Sequence, residues 1–322
     1  MTTRKLAFVG DVGGTNARFA LVENDAIVQG SMHNCINREH TSIIEAIQSF
    51  LTAHGNPQLS EACIALACPI TGDTVKLTNC DWQISKKAIH DSFGLSEVLL
   101  VNDFTALAMG VPSLGDKQYY TLGEGTAQHH YPIGVMGAGT GFGVSGLIWA
   151  HGHWVPLQGE GGHISFAPAD ELEIEVLRIG WKEYGGRLSV ERILSGDGLE
   201  FLYLALCQIK GIPSEKLKAS DITKQAVDDP KSIGLEVVNI FCSVLGGVAG
   251  DWALELGAWG GIYIGGGIVP RLGDIVKQSP LRARFEAKAR FKGYVARIPI
   301  RVITDSVQTA LMGAASILND RK

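Results

Sequence analysis

The chain opens on the stretch Leu6-Ala-Phe-Val-Gly10-Asp11-Val12-Gly13-Gly14-Thr15-Asn16, in which an apolar run leads into a glycine-rich segment. Residues 17–22 are apolar again, which predicts a strand, a tight turn and a second strand. Glycine lets backbone N–H groups approach an anion because no side chain stands between them. A carboxylate such as Asp11 suits Mg²⁺, since that ion keeps most of its waters and needs few protein oxygens. We therefore predict that residues 10–16 hold polyphosphate and that Asp11 binds the metal ion.

Two further glycine segments follow apolar runs in the second half of the chain. They read Gly137-Ala138-Gly139-Thr140-Gly141 and Gly265-Gly266-Gly267. Any one such segment could be a plain hairpin turn, but three together favour polyphosphate binding, with Gly137, Gly139, Thr140, Gly265, Gly266 and Gly267 as candidate residues. No G-x-x-x-x-G-K-[ST] motif is present, and the match to G-x-G-x-x-G at residues 141–146 begins a strand where a dinucleotide site needs a strand-to-helix turn. The returning hairpin pattern indicates a duplicated fold.

A set of polar side chains is the candidate for binding a small polar ligand. Asn102 and Asp103 follow the buried strand predicted at residues 98–101, where α/β sheets place their ligands. Glu160 and His163 lie in a glycine-rich loop, and Glu191 follows in Ser-Val-Glu-Arg. Carboxylates accept hydrogen bonds from hydroxyls, while amides and imidazoles both donate and accept, as a sugar requires. The alternatives are a helix N-cap for Asp103, a plain surface turn for residues 159–163 and a pairing with Arg192 for Glu191.

Periodicity predicts the remaining elements. Helices are expected at residues 43–51, behind a Ser42-x-x-Glu45 capping box, at 235–252 and at 310–318, the last one packing on the first lobe. Strands are expected near residue 27 and at 62–67, 73–78, 98–101, 133–136, 144–149, 261–264 and 298–303. The first lobe is thus expected to be a mixed sheet covered by helices.

Composition limits the classes of function. A chain of 322 residues, 46% hydrophobic and 19% charged, fits two well-buried domains with a cleft. The net charge of −5 argues against nucleic acid, and no apolar run approaches the roughly 18 residues of a membrane span. The first residues carry no signal-peptide pattern, so a cytoplasmic location is expected. Six cysteines form no C-x-x-C pair, which predicts buried reduced thiols and no zinc site.

Taken together, these motifs resemble the bacterial glucokinase family. The matching segments run in order along nearly the whole chain and are Gly10–Arg18, Ala67–Asp73, Leu77–Asn79, Val101–Ala106, Gly137–Gly141, Gly159–His163, Glu191–Gly196 and Gly265–Pro270. The related repressor and sugar kinase family carries a zinc-binding cysteine cluster after its Glu-x-Gly-His loop. Here the next cysteine after His163 is Cys207, which argues against that family and against zinc.

The resemblance implies an α/β, two-domain actin-like ATPase (ribonuclease H-like) fold with duplicated mixed sheets flanking a cleft. The small domain would comprise residues 1–112 plus 303–322 and the large domain residues 113–302. It implies glucose contacts from Asn102, Asp103, Glu160, His163 and Glu191, ATP phosphates at the first two glycine segments, adenosine at the third, and a homodimer.

We expect Asp103 to act as general base while the γ-phosphoryl group of MgATP passes to the 6-hydroxyl of D-glucose, giving glucose 6-phosphate and ADP. Sequence alone leaves open a kinase for another hexose, such as fructose or N-acetylglucosamine, and polyphosphate as the donor. A sugar-responsive regulator and an actin-like ATPase are the alternatives from other classes.

Overall fold

A computed structural model describes residues 6–24, 26–77 and 80–319 of the chain. Contacts between residues divide the chain into two compact units. Unit 1 comprises Met1–Gly115, Ala150–Gln158 and Asp305–Lys322, and unit 2 comprises Asp116–Trp149 and Gly159–Thr304. The domain boundaries expected near residues 112 and 303 stay predictions.

The elements alternate between strands and helices along the chain. The strands are β1 Leu6–Val12, β2 Asn16–Glu23, β3 Ala26–Ile27, β4 His33–Ile36, β5 Glu61–Leu66, β6 Thr74–Lys76, β7 Gln83–Ser85, β8 Glu97–Asn102, β9 Tyr119–Leu122, β10 Ile133–Ala138, β11 Phe142–Ala150, β12 His153–Leu157, β13 Ile262–Gly266 and β14 Ile300–Ile303. The helices are α1 Ile43–Ala53, α2 Lys86–Phe93, α3 Asp103–Gly110, α4 Glu171–Glu183, α5 Gly196–Lys210, α6 Ala219–Asp228, α7 Ile233–Leu256, α8 Asp274–Gln278, α9 Leu281–Glu286, α10 Lys292–Val295 and α11 Ser306–Asn319.

The main sheet of unit 1 has the order β3-β2-β1-β5-β8, and β4 pairs with the first half of β2, residues 16–19. The β1–β2 hairpin is antiparallel, whereas β1 pairs parallel with β5 and β5 pairs parallel with β8. Val12 therefore lies beside Leu66, and Leu66 beside Asn102, at the carboxyl edge of the sheet. This register brings the end of the first strand and the start of α3 to one edge.

Both faces of that sheet are buried, as parallel strands require. Phe8 on one face packs with Phe19 and with Phe50 of α1. Val9 and Cys63 on the other face pack against the last helix, α11. The expectation that the final helix packs on the first part of the chain is confirmed.

The sheet of unit 2 repeats this topology. Its strands β11, β10, β13 and β14 lie in that order, with one antiparallel hairpin followed by two parallel pairings, and β9 is added antiparallel to β14. The same sequence of pairings is found for β2, β1, β5 and β8. The duplication indicated by the two glycine hairpins is therefore present in the strand order.

Helix α7 is the central helix of unit 2. By length and composition it could cross a membrane, but the larger part of it is buried inside the protein. Val237, Val238 and Phe241 are fully buried, and the helix packs against α6, α9 and β10. A helix covered on several sides needs apolar residues around most of its circumference, which explains its composition.

Two sequence expectations need correction. Residues 73–78 do not join the main sheet, because β6 pairs only with β7 in a separate two-stranded sheet of the described chain, and Thr78 and Asn79 lie outside the described residues. The glycine turns are also shorter than predicted: Gly10, Asp11 and Val12 belong to β1 and Asn16 to β2. Backbone pairing between the two strands extends almost to the tip of the hairpin.

Candidate active site

The first glycine segment ends in a tight turn at residues 13–15. The Gly13 N–H donates to the Asn16 carbonyl oxygen at 3.0 Å, which closes the turn. Gly13 and Gly14 are partly exposed and Thr15 is exposed, so the turn is open to a ligand. The sequence predicts phosphate contacts at this turn, and that assignment stays a prediction.

Asp11 lies opposite Arg18 in the β1–β2 hairpin, and its Oδ2 is 3.7 Å from the guanidinium Nη1. Its side chain is only 17% exposed. Burial raises the pKa of the Asp11 carboxyl from 3.8 to about 6, although the charge of Arg18 opposes this shift. The ion pair is too long to be a hydrogen bond, and the carboxylate is incompletely compensated.

The surroundings of Asp11 fit a magnesium ion held mainly by water and phosphate. Within residues 6–24, 26–77 and 80–319, no group of three or more His, Cys, Asp or Glu side chains could hold a metal ion. Mg²⁺ in a nucleotide site commonly uses one or two carboxylates and the phosphate oxygens. A single buried carboxylate whose charge is disfavoured suits that arrangement.

The second and third glycine segments meet in unit 2, although more than a hundred residues separate them in sequence. Gly137 in β10 pairs with Gly265 in β13, and the Ala138 carbonyl oxygen accepts from the N–H groups of Gly267 and Ile268 at 2.9 and 3.1 Å. Gly266 has φ +82°, and a Cβ there would lie 2.3 Å from the Ala138 oxygen. Only glycine fits that position.

A pocket of about 560 Å³ lies beside these two segments. Of the predicted nucleotide residues, Gly139, Thr140 and Gly267 line it, whereas Gly137, Gly265 and Gly266 are not among its lining residues. The start of helix α5 forms another wall, since the Gly196 N–H donates to the Gly139 oxygen at 2.9 Å. The lining contains three acidic and two basic side chains beside several small polar ones. Outside the glycine segments, the charged and polar members are Asp197, Glu200, Asp228, Lys224, Arg271, Ser220 and Thr223.

Asn102 and Asp103 stand where β8 passes into α3. Asn102, not Asp103, caps the helix: its Oδ1 accepts from the N–H groups of Phe104 and Thr105 at 2.9 and 3.2 Å. Asp103 is the first helical residue, and its Oδ1 accepts from the Phe104 N–H at 2.9 Å. The N-cap alternative for Asp103 is therefore wrong, and its partly exposed carboxylate lies at the same sheet edge as the first glycine turn.

Glu160, His163 and Glu191 come together in unit 2. The His163 Nδ1 is 3.8 Å from Glu191 Oε1, and its Nε2 is 4.0 Å from Glu160 Oε2. All three retain solvent access, with exposures of 57% for His163, 56% for Glu160 and 30% for Glu191. Two acceptors thus flank an imidazole, which is an arrangement suited to several hydroxyl groups.

Glu191 is fixed by the second glycine hairpin and not by Arg192. Its Oε2 accepts from the Phe142 N–H at 2.9 Å. A Cβ at Gly141 would lie 2.6 Å from that oxygen, so the carboxylate occupies space left by the missing side chain. Arg192 lies instead over the ring of Tyr184, 4.8 Å from its centroid. The expected alternative of a Glu191–Arg192 pair is wrong.

Arg187 is a contributor that the sequence motifs missed. Its guanidinium donates to the His163 carbonyl oxygen and, at 3.4 Å, to Ser165 Oγ. The segment around it is joined to the loop by an antiparallel bridge between Ser165 and Ser189. These contacts tie the loop carrying His163 to the segment carrying Glu191, and no motif near Arg187 signals them.

A fold that repeats one sheet topology and closes a hairpin of each copy with a glycine turn belongs to the class of actin-like ATPases and sugar kinases. The sequence profile of glucokinase matches residues 8–321. Glucokinase from Hahella chejuensis (strain KCTC 2396) is 41% identical over 322 residues, which are 100% of this chain and 99% of that protein. The chain belongs to the glucokinase family.

Comparison with solved structures supports the same family and fold. The crystal structure of glucokinase from an Antarctic psychrotroph matches with a TM-score of 0.88 and 34% identity, covering 98% of this chain and 99% of the other. Glucokinase from Balamuthia mandrillaris in complex with glucose matches with a TM-score of 0.82 over 98% of this chain and 94% of its own, and at 21% identity it shows the fold alone. The predicted family, the actin-like fold and the class of ATP-dependent hexose kinase are confirmed.

Proposed function

We propose that the protein transfers the γ-phosphoryl group of MgATP to the 6-hydroxyl of D-glucose, giving glucose 6-phosphate and ADP. Membership of the glucokinase family supports glucose as the acceptor. The observation that carries the chemistry is the register of unit 1, in which Val12, Leu66 and Asn102 lie side by side. With strands about 4.8 Å apart, Val12, which precedes the first glycine turn, and Asn102, which precedes Asp103, lie about 10 Å from each other at one edge of the sheet.

Five side chains are proposed to contact the acceptor sugar, and each group is described within its own unit. Glu160, His163 and Glu191 lie together in unit 2, and Asn102 and Asp103 follow each other in unit 1. Carboxylates would accept from sugar hydroxyls, and the His163 imidazole could donate or accept. The Asn102 Oδ1 already caps α3, so its Nδ2, which lies 3.5 Å from the Cys68 carbonyl oxygen, is the atom left to donate to a hydroxyl.

The three glycine segments are the proposed nucleotide contacts, taken unit by unit. In unit 1 the first segment would contact phosphate. In unit 2 the second segment would contact phosphate, and the 560 Å³ pocket beside Gly267 would take the adenosine. That volume lies within the range of small-molecule sites, roughly 300–1,000 Å³. Mg²⁺, with Asp11 as its protein ligand, would neutralise charge on the phosphates.

In the transfer step Asp103 would accept the proton of the glucose 6-hydroxyl. Phosphoryl transfer needs little covalent chemistry from the protein, so positioning and charge stabilisation supply most of the rate. A general base typically contributes about 10²- to 10⁴-fold. The main-chain hydrogen bond from Phe104 holds one carboxylate oxygen and thereby orients the group.

A homodimer in the cytoplasm is part of the proposal. None of the six cysteines, which all lie within the described residues, is in a disulfide bond, and five of them are buried, as expected of a protein kept in a reducing compartment. Light scattering on the purified protein should give twice the chain mass of 34.4 kDa. A mass equal to one chain would overturn the dimer without touching the catalytic proposal.

The position of transfer can be tested with 6-deoxyglucose, which lacks the proposed acceptor oxygen. Glucose should give glucose 6-phosphate, detected by coupling to glucose-6-phosphate dehydrogenase, while 6-deoxyglucose should inhibit competitively and give no phosphorylated product. Phosphorylation of 6-deoxyglucose would show transfer to another hydroxyl and contradict the proposal.

A further inference from the structure

Asn37 is a buried polar residue behind the first glycine turn. It begins the short 3₁₀ turn that follows β4, and only 4% of its surface is exposed. Neither the sequence motifs nor the proposed catalytic set includes it. Buried polar side chains are usually hydrogen-bonded, so the partners of Asn37 indicate what it does.

Both donors of Asn37 point at the glycine turn. Its backbone N–H donates to the Thr15 carbonyl oxygen at 2.9 Å, and its Nδ2 donates to the Gly13 carbonyl oxygen at 2.8 Å. The remaining contact of Nδ2 is a weak one to Cys80 Sγ at 3.7 Å. Two carbonyl groups of a three-residue turn are thus held by one residue.

This attachment decides which way the turn presents its N–H groups. In a planar trans peptide, the C=O and the following N–H point in opposite directions. Holding the Gly13 carbonyl toward Asn37 therefore directs the Gly14 N–H away from Asn37. If the carbonyl were free to rotate, its negative oxygen could face a bound phosphate and repel it.

Stability of the fold does not by itself explain an amide at this position. The Asn37 Oδ1 is buried and has no hydrogen-bond partner among the described residues. An unpaired buried acceptor destabilises a fold, so an apolar side chain of similar shape would be the better choice for packing alone. The Nδ2 contact with Gly13 is what the amide provides.

We propose that Asn37 is a positioning residue for the phosphate turn: it fixes the Gly13 peptide so that the turn offers N–H groups to the nucleotide phosphates. The inference rests on the proposed role of the first glycine segment in binding ATP. It adds a residue outside the nucleotide-binding motif on which nucleotide affinity depends.

The test is Asn37→Asp, which has almost the same shape but replaces the donating Nδ2 by an oxygen facing the Gly13 carbonyl. Calorimetric titration with Mg²⁺ and ADP should show the Kd raised about tenfold, the effect of losing one net hydrogen bond. The KM for ATP should rise in parallel, while the KM for glucose stays within about twofold of the wild type. A merely structural role would lower Tm without producing this split.

Asn56→Asp is the matched control, because Asn56 is exposed and its Oδ1 accepts from the surface side chains of Gln48 and Thr52. It should leave the ADP affinity unchanged. If Asn37→Asp does not fold, Asn37→Ala removes the same donor without adding charge and should show the same rise in Kd.

ADP titration separates this inference from the proposed function, since it needs no hexose. A wild-type protein that binds ADP but does not phosphorylate glucose would overturn the proposed function alone. Asn37 variants that fold and bind ADP with wild-type affinity would overturn the role of Asn37 alone.

Discussion

The position of Asp103 at the start of α3 is determined by the preceding residue, Asn102. Asn102 supplies the helix cap, which leaves Asp103 at the first helical position with its carboxylate on the carboxyl edge of the sheet. A carboxylate at the first turn of a helix interacts favourably with the partial positive charge of the helix N-terminus. The position therefore holds a carboxylate in place for the proposed role of Asp103 as general base.

Replacing this carboxylate should separate binding from chemistry. Asp103→Asn keeps the shape and the ability to accept from a hydroxyl but removes the base, so kcat should fall at least ~100-fold while the Kd for glucose changes little. Steady-state kinetics and calorimetric titration with glucose measure the two quantities. Near-normal turnover would show that Asp103 is not the base.

Asp11 gives a prediction about pH. Its carboxyl has a pKa of about 6 in the folded protein against 3.8 ordinarily, so the folded state binds the proton more tightly than the unfolded chain. In the metal-free protein this contribution favours folding at low pH and is lost as pH rises through 6. Above that pH the buried charge costs up to about 3 kcal/mol, an order-of-magnitude figure from the difference in pKa.

The neutral variant Asp11→Asn should not share this dependence. Without metal, it should be more stable than the wild type at pH 8, and the difference should shrink toward pH 5. Urea unfolding at both pH values measures this, and the same variant should need more Mg²⁺ for half-maximal activity. An equal difference in unfolding free energy at the two pH values would contradict a raised pKa of the Asp11 carboxyl.

At the scale of elements, much of the fold could be read from local patterns. The apolar runs predicted β5, β8, β10, β13 and β14 because buried parallel strands are nearly continuously apolar. The Ser42 cap of α1 was also predictable, and its hydroxyl accepts from the Glu45 N–H at 3.3 Å. The Glu45 carboxylate, however, bonds Thr41 instead of completing the capping box at Ser42.

Contacts between distant segments could not be predicted from the sequence. The placement of β6 with β7 depends on strand pairing, which a single run of alternating residues does not specify. Asn37 and Arg187 act on loops 24 residues away from themselves, and neither lies in a recognisable motif. The contribution of α6 to the wall of the 560 Å³ pocket could not be predicted either, since an amphipathic helix carries no signature of the ligand it faces.

The hydrogen bonds from Arg187 to the loop that carries His163 predict that loss of Arg187 weakens the binding of glucose but not of ATP. Arg187→Met keeps the length of the side chain but removes its donors to His163 and Ser165, so His163 should lose its fixed position. Because Arg187 is exposed, we expect little loss of stability and a rise of about threefold to tenfold in the KM for glucose. Steady-state kinetics should show the KM for ATP unchanged, and Arg187→Lys should restore part of the affinity. Equal changes in the KM for glucose and the KM for ATP would contradict a role of Arg187 specific to the loop that carries His163.

At the scale of the whole molecule, two sheets of the same topology carry the residues that are proposed to act in phosphoryl transfer. Unit 1 holds the first glycine turn, Asp11 and Asp103, and unit 2 holds the 560 Å³ pocket and the group of Glu160, His163 and Glu191. Because a general base acts on the proton of the acceptor hydroxyl, turnover should depend on the sugar, and nucleotide hydrolysis without sugar should be slow.

ADP release by the purified protein with ATP and Mg²⁺, measured against a panel of hexoses, tests this directly. We predict that release depends on sugar, that kcat/KM is highest for glucose and that each ADP is matched by one glucose 6-phosphate. Fructose and N-acetylglucosamine should be poor acceptors. ADP release that is independent of sugar, or that is fastest with another hexose, would contradict the account.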